Sequence, residues 1–447
     1  MQVETEPENS ASLASQSTDL ADGIDASDEG ASVAAIEATL TSDVKRGSID
    51  LVLLSVVTVL VGIGLLVVYT GSAVDAAKRW GDDMIFVNQQ LWGVALGFVA
   101  LTVVSRIDYR TYRKHTRLIY LLTFILLLAI WIPGVGVEVN GARRWLNLIF
   151  MRFQPAELAK LTICIFMAYS MEKRAAEMSG WAGFYKHGVP VGVLLLPIFL
   201  QPDFGSTVII SAIAALMLWM GGVKLTHFMA TGALILPLGG FALLTEPYRV
   251  ARLKTWLNPW DDAASSSFQL LQGWVALANG GLTGTGFGQG NAIFGYIPEM
   301  YNDWAAALIG EEFGFVGFTV FALLYAVLGW RGYRIAARAK DSFGALLAFA
   351  LTSLILGQAV FNLGVIVGIL PTKGLTLPFV SFGRSSLIMM LIAVGILLNI
   401  SQNNPDLRAE NSHLRTLRDK LLGRKDGDKR WRDRRIKELE QGTKIDD

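Results

Sequence analysis

Residues 188–222 read GVPVGVLLLPIFLQPDFGSTVIISAIAALMLWMGG, and the number of membrane crossings in this stretch decides the topology of the whole chain. A bilayer core of about 30 Å takes roughly 20 apolar residues of helix. The stretch is too long for one ordinary span and only just long enough for two short ones. Pro197, Pro202 and Gly205 surround one acid, Asp203, and proline and glycine interrupt helices. The pattern predicts a hairpin of two helices with Asp203 at its tip.

The same ruler finds further apolar spans near 50–70, 87–105, 117–133, 155–171, 227–244, 304–328, 343–366 and 381–400. Basic segments separate them: RIDYRTYRKHTR (106–117), MEKRAAEMSGWAGFYKH (171–187), RGYRIAARAK (331–340) and a charged tail. With two spans in 188–222 all of these face one side; with one span the last two face away from the first two. Lys and Arg concentrate in cytoplasmic loops. The expectation is therefore an all-α polytopic membrane protein with about ten transmembrane helices, both termini cytoplasmic, and a large outer loop between spans 7 and 8.

Three regions follow. Residues 1–47, acidic and rich in Ala and Ser with no signal-peptide pattern, read as a disordered cytoplasmic tail. Residues 48–401 form the transmembrane domain. Residues 402–447 form a charged cytoplasmic tail in which Leu407, Leu414, Leu417 and Leu421 recur at helical spacing. Only 17% of the 447 residues are charged and 52% are hydrophobic, whereas soluble domains carry about a quarter charged residues. The single cysteine, Cys164, excludes an intrachain disulfide or a cysteine metal cluster.

The outer connections in this topology are 71–86, 134–154, 245–303 and 367–380. They carry positive charge on the disfavoured side: Arg143, Arg144 and Arg152, then Arg249, Arg252 and Lys254, then Lys373. Guanidinium and ammonium groups suit phosphate oxygens. Arg143, Arg249 and Lys373 are therefore candidates to bind a lipid diphosphate at headgroup level, with plain anchoring to anionic headgroups as the alternative. Glu157 and Lys160 lie one turn into the fourth span, three apart and on one helix face, as an ion pair or as substrate contacts.

In YIPEMYNDWAAALIGEE (296–312), Pro298 suits a helix start. Glu299 and Asp303 then lie four apart on one face at the water boundary, with Glu311 and Glu312 deeper. Neighbouring carboxylates raise the pKa of one of them, which suits a general base; helix capping by Asn302 or Asp303 is the alternative.

All four histidines, His115, His187, His227 and His413, fall on the cytoplasmic side, against a histidine triad or metal site at the outer cluster. GGLTGTGFGQG (280–290) lacks the pattern of a nucleotide-binding loop and reads as a flexible surface loop. With no soluble nucleotide-sugar domain, a glycosyl donor would have to arrive already attached to lipid. No nucleic-acid partner is expected. The sequence names no cofactor and leaves a divalent cation open.

Over about 50–401 the chain resembles the SEDS family (shape, elongation, division and sporulation). The likeness is carried by NGARRWLNL with FQPAELAKL (140–148, 153–161), QPDFGST (201–207), YRVARLKTWLNPWDD (248–262), FQLLQGWVALANGGLTGTGFGQG leading into IPEMYNDWAAALIGEEFGFVG, and LPTKGLTLPFVSFGRSSL (370–387). Thr-Lys-Gly in PTKG is closer to the division branch than to the elongation branch.

The resemblance implies a peptidoglycan glycosyltransferase that polymerises lipid II into β-1,4 glycan, with inversion and release of undecaprenyl diphosphate. The family aspartate falls on Asp303, which would activate the acceptor hydroxyl. Implied partners are a class B penicillin-binding protein and other divisome membrane proteins, at the bacterial inner membrane and the division septum. The chain departs from the family pattern in three places: Tyr301-Asn302-Asp303-Trp304 replaces His-Thr-Asp-Phe, Gly295 replaces a charged residue, and Arg384 stands where glycine is usual. The rival functions are a flippase for lipid-linked precursor, an elongation polymerase, or a silent division scaffold. A transporter would gather its binding groups at the midplane with repeat symmetry; here no convincing inverted repeat is found and the ionisable groups favour the outer rim.

Overall fold

A computed structural model of the chain describes residues 49–403 except 140, 148–150, 245–246, 262, 264–266, 291–299 and 373, and gives backbone alone for part of 235–249, including Arg249. Glu299, Lys373, the tail 1–47 and all of the charged tail beyond Asn403 lie outside the described residues.

The described chain is a helical membrane fold. In order come α1 (Leu51–Trp80), α2 (Ile85–Arg106), α3 (Arg110–Ala129), a small sheet, α4 (Pro155–Lys173), α5 (Trp181–Leu200), α6 (Phe204–Met220) and α7 (Leu225–Leu244). They are followed by α8 (Pro247–Leu257), α9 (Phe268–Gly280), the single turn α10 (Met300–Asp303), α11 (Ala305–Ala337), α12 (Ser342–Ile366) and α13 (Arg384–Gln402). Among the described residues, α1, α2, α5, α11, α12 and α13 are each long and apolar enough to cross a membrane.

Residues 188–222 form two helices, the end of α5 and all of α6, broken at Gln201–Asp203. Asp203 stops the chain from running on as one helix by capping the second: its carboxylate accepts from Ser206 N at 3.1 Å and from Ser206 Oγ at 2.9 Å. That is the N-cap geometry for which Asp is suited.

The bundle packs through small residues where helices approach closely. On α2, Trp92, Leu96, Val99 and Val103 form an exposed apolar stripe at helical spacing, the face a lipid would cover. Gly93 and Gly97, four apart on the other face, meet α13, where a Cβ at Gly97 would come within 2.4 Å of Leu391. This is the small-residue spacing that lets helices approach without side chains between them. The opposite extreme is α13, whose centre is buried almost throughout.

Two segments differ from the sequence expectation. The connection 134–154 contains an antiparallel sheet, β1 (Gly136–Val139), β2 (Ala142–Asn147) and β3 (Arg152–Phe153), in that order. The glycine-rich run 280–290, expected as a flexible surface loop, is instead sealed against a break in α11. Gly314 (φ 67°, ψ −167°) interrupts that helix, a conformation essentially confined to glycine. The break strips Glu311 and Glu312 carbonyls of their normal partners, the N–H groups of Phe315 and Val316. The loop satisfies all four groups: Thr285 N donates to Glu311 O (2.9 Å) and Gly286 N to Glu312 O (3.0 Å), while Phe315 N and Val316 N donate to Gly281 O (2.9 Å) and Leu282 O (3.1 Å). Buried backbone groups need such partners, so the glycines serve close packing rather than mobility.

Candidate functional site

The motifs scattered through the sequence converge on one end of the bundle. Asp303 is the last residue of α10 and is partly exposed. The N-cap position of α11 is Trp304, whose side chain makes no capping bond, so the helix begins one residue beyond the expected cap. The Asp303 carbonyl accepts from Asn362 Nδ2 of α12 at 2.9 Å, and the same amide nitrogen donates to Leu375 O at 2.7 Å. Asn362 thus holds the turn carrying Asp303 against the PTKG loop. A Cβ at Gly374 would lie 3.0 Å from Asp303 Oδ2, so the carboxylate rests directly on that loop's exposed glycine.

The loop is anchored from outside by the long connection. Trp256 Nε1 donates to Gly368 O (3.0 Å), Trp274 Nε1 to Ile366 O (3.1 Å) and Arg252 Nη1 to Thr372 O (3.4 Å). Arg249 lies one turn before Arg252 on α8. Lys373 directly precedes the glycine beside Asp303, and Glu299 lies four residues before Asp303; both fall outside the described residues. From the other side Phe382 N donates to Tyr301 O at 2.9 Å, and Tyr301 packs on Phe86 and Phe382.

Beneath this surface runs a buried polar chain. Lys160 Nζ lies 2.7 Å from Glu157 Oε1 and 3.1 Å from Gln358 Oε1. Gln358 Nε2 donates to Thr376 O (2.9 Å) and Oγ1 (3.2 Å), and Thr376 Oγ1 donates to Ser386 Oγ (3.1 Å). Glu157 is 5% and Lys160 1% exposed, so their link to the surface passes through Gln358 and Thr376. An ionised pair at such depth needs its hydrogen bonds filled to be tolerated, and Gln358 supplies one of them.

A third group joins the hairpin tip to the sheet. Gln154 Nε2 donates to Asp203 Oδ2 (2.9 Å), Gln154 N to Ser385 Oγ (3.3 Å), and Ser385 Oγ to Arg152 O (3.0 Å). Arg144 donates to the carbonyls of Gln201 (3.1 Å) and Pro202 (2.9 Å), which end α5. Arg143, its neighbour, points to the other face of the strand, half-exposed, with Nε 3.2 Å from Glu138 Oε2. No contact among the described residues ties Arg143 to Asp303.

Sequence reasoning passed over Gln358 and Asn362. Both lie in LILGQAVFNLGVI, four apart on one face of α12, and amides inside an apolar span are the signal that singles them out. Among the described residues no three His, Cys, Asp or Glu side chains converge as a metal site would require.

Residues 50–406 match the sequence model of the cell cycle protein family FtsW/RodA/SpoVE. Among curated relatives, the probable peptidoglycan glycosyltransferase FtsW of Geobacter sulfurreducens is 40% identical over 353 residues, covering 79% of this chain and 95% of the relative. Stage V sporulation protein E of Bacillus subtilis is 38% identical over 361 residues, covering 80% and 98%. A chain from a structure described as the structural coordination of polymerization and crosslinking by a peptidoglycan synthase complex superposes with a TM-score of 0.67 at 26% identity, covering 80% of this chain and 99% of its own. The rod shape determining protein RodA of Thermus thermophilus shares the fold, with a TM-score of 0.58 at 24% identity over 80% of this chain and 98% of its own.

Proposed function

The chain belongs to the FtsW/RodA/SpoVE family of cell cycle proteins, and from that premise we propose that it polymerises lipid II into β-1,4 glycan during septal wall synthesis. The observation that carries this reading is the position of Asp303. Its carboxylate rests on Gly374 of a loop that is braced from α8 and α12.

In the proposed reaction Asp303 accepts the proton of an acceptor sugar hydroxyl as that oxygen bonds to the anomeric carbon of the donor. The bond from that carbon to the diphosphate breaks, undecaprenyl diphosphate leaves, and the α-linked donor becomes a β linkage. A sugar hydroxyl is a weak nucleophile, and a positioned carboxylate removes its proton in the transition state. Arg249, Lys373 and Arg143 supply positive charge for the departing diphosphate, where Arg can grip with two hydrogen bonds. Glu299, four residues before Asp303 in the sequence, would add a second carboxylate. Glu157 and Lys160 act from below, through Gln358 and Thr376, on the segment following PTKG. A divalent cation would add to the same electrostatic stabilisation.

The protein works in this reading at the bacterial inner membrane and the division septum, crossing it ten times with both termini cytoplasmic. Its partner is a class B penicillin-binding protein among other divisome membrane proteins; likeness to a chain from a synthase complex that couples polymerization to crosslinking supports this. The test is reconstitution of the full chain with that partner in liposomes supplied with lipid II. Glycan chains should form. Lipid II movement between leaflets without glycan would replace the polymerase reading with a flippase.

A further inference from the structure

The end of the bundle opposite Asp303 holds a second concentration of charge. The 19 residues of α4 carry the chain about 28 Å at 1.5 Å per residue, from Pro155 beside the hairpin tip to Lys173. There α3, α4 and α5 enclose a cavity of about 240 Å³ lined by Arg117, Lys173, Arg174 and Lys186 together with Phe166 and Tyr169. Tyr120 of α3 packs on Phe166 and donates its hydroxyl to Pro190 O of α5 at 2.7 Å, tying the helices together beside it.

The cations are only partly compensated. Lys186 is 2.5 Å from Glu177, and Lys173 lies over the Tyr169 ring at 5.9 Å. The nearby Glu172 is engaged by Arg113 at 3.1 Å. Arg117 and Arg174 have no ion-pair partner among the described residues, and Arg174 is half-buried. Four cations gathered from three helices around one cavity repel one another, and clefts lined by one sign of charge focus the field on a counter-ion. The cavity also adjoins apolar surface: Leu121 on α3 and Val189 and Val193 on α5 are exposed. A ligand suited to both features is anionic at one end and apolar at the other.

We infer that this cavity seats the phosphodiester headgroup of an anionic phospholipid of the phosphatidylglycerol type. Arg117 and Arg174 grip the phosphate oxygens, Lys173 adds charge, and the acyl chains run along the exposed apolar faces of α3 and α5. Basic pockets between transmembrane helices are suited to such headgroups, and guanidinium matches phosphate geometry. The inference does not depend on the glycosyltransferase reading.

The test is native mass spectrometry of the full-length protein titrated with phosphatidylglycerol or phosphatidylcholine. The parental chain should retain phosphatidylglycerol selectively. The double variant Arg117→Gln/Arg174→Gln should lose about tenfold or more of that retention, given the usual strength of charge-assisted bonds. The charge-matched control Arg106→Gln/Lys114→Gln, on residues outside the cavity, should keep it. Equal retention of both lipids, or equal loss in both double variants, would overturn the site in favour of diffuse surface charge. Displacement of the lipid by millimolar inorganic phosphate would overturn the lipid assignment in favour of a soluble phosphate site.

Discussion

Asp303 combines partial exposure with a backbone fixed from two sides, and that combination is what a general base at a water boundary needs. The carboxylate can meet a substrate while Asn362 holds its carbonyl at 2.9 Å. Asp303→Asn keeps the shape of the side chain but removes the proton acceptor. Because the cap position of α11 is Trp304, this variant reports on the base rather than on helix capping. Loss of glycan synthesis by about 10²–10⁴-fold is expected, with membrane insertion and partner binding intact. Near-parental glycan synthesis by this variant would remove Asp303 from catalysis. The basic residues are expected to differ among themselves. Arg249→Gln and Lys373→Gln should each weaken lipid II use by about tenfold or more, as lost charge-assisted contacts do. Arg143→Gln should do less, because Arg143 is engaged with Glu138 on the exposed sheet. Titrating lipid II against each variant measures this; equal effects from all three would place Arg143 at the diphosphate with the others. The sequence expected Asp303 at a helix start, and it closes the single turn α10 just before α11. The amides Gln358 and Asn362 carry a signal as polar groups in an apolar span, but the partners they hold, Lys160, Thr376, Asp303 and Leu375, are not disclosed by it.

At the scale of elements, periodicity and breakers disclosed helices well and disclosed loops poorly. The hairpin in 188–222 was readable because a capping acid, two prolines and a glycine all fall at one point. The run 280–290 was misread because glycine signals freedom equally when a loop is mobile and when backbone must touch backbone. Only the partner segment, the break at Gly314 in α11, distinguishes the two. The start of α12 shows a similar long-range dependence. Asp341 caps this helix through Gly344 N (2.7 Å) and also receives Tyr109 Oη (2.7 Å) and Arg110 Nε (2.9 Å). Burial raises its pKa, but the hydrogen bonds from Gly344, Tyr109 and Arg110 outweigh this and hold the carboxyl below its ordinary value of 3.8. A carboxylate with a depressed folded pKa contributes stability above its unfolded pKa and loses it as pH falls through the folded one. Asp341→Asn keeps the capping geometry but removes the charge that faces Arg110, so it should lower stability at pH 7 by about 0.5–1 kcal/mol, the scale of a partly exposed ion pair. Thermal unfolding in detergent should show this gap closing only below about pH 4. A gap that stays constant down to pH 2 would show that the charge of Asp341 adds nothing.

At the scale of the whole molecule, the topology rests on the count of crossings rather than on any one helix. The apolar segments were legible because lipid imposes a length on each span: a helix overlies each of them, and six of these helices are long and apolar enough to cross a membrane among the described residues. Less legible was where charge sits relative to the helix ends. Arg331, expected in a basic loop, lies inside α11 and is 1% exposed, with Nη2 2.7 Å from Asp50 Oδ2. That residue is therefore neutralised by an acid at the start of α1 and carries little weight as a topogenic charge. The remaining vote for orientation comes from the α2–α3 and α4–α5 connections, and from Arg334, Arg338 and Lys340 around the end of α11. If two crossings separate the α4–α5 turn from the start of α7, reporters fused after Ser179 and after Lys340 both read cytoplasmic, and one placed within 255–260 reads periplasmic. Excess Lys and Arg hold such segments inside, so replacing Arg334, Arg338 and Lys340 together should weaken the second signal while Arg331→Gln alone should not. Instead, Arg331→Gln should destabilise the fold by about 3–5 kcal/mol, because it leaves Asp50 as a buried charge without its partner. A periplasmic signal after Lys340 in the parental chain would mean that α5 and α6 do not both cross, and the ten-span topology would fall with it.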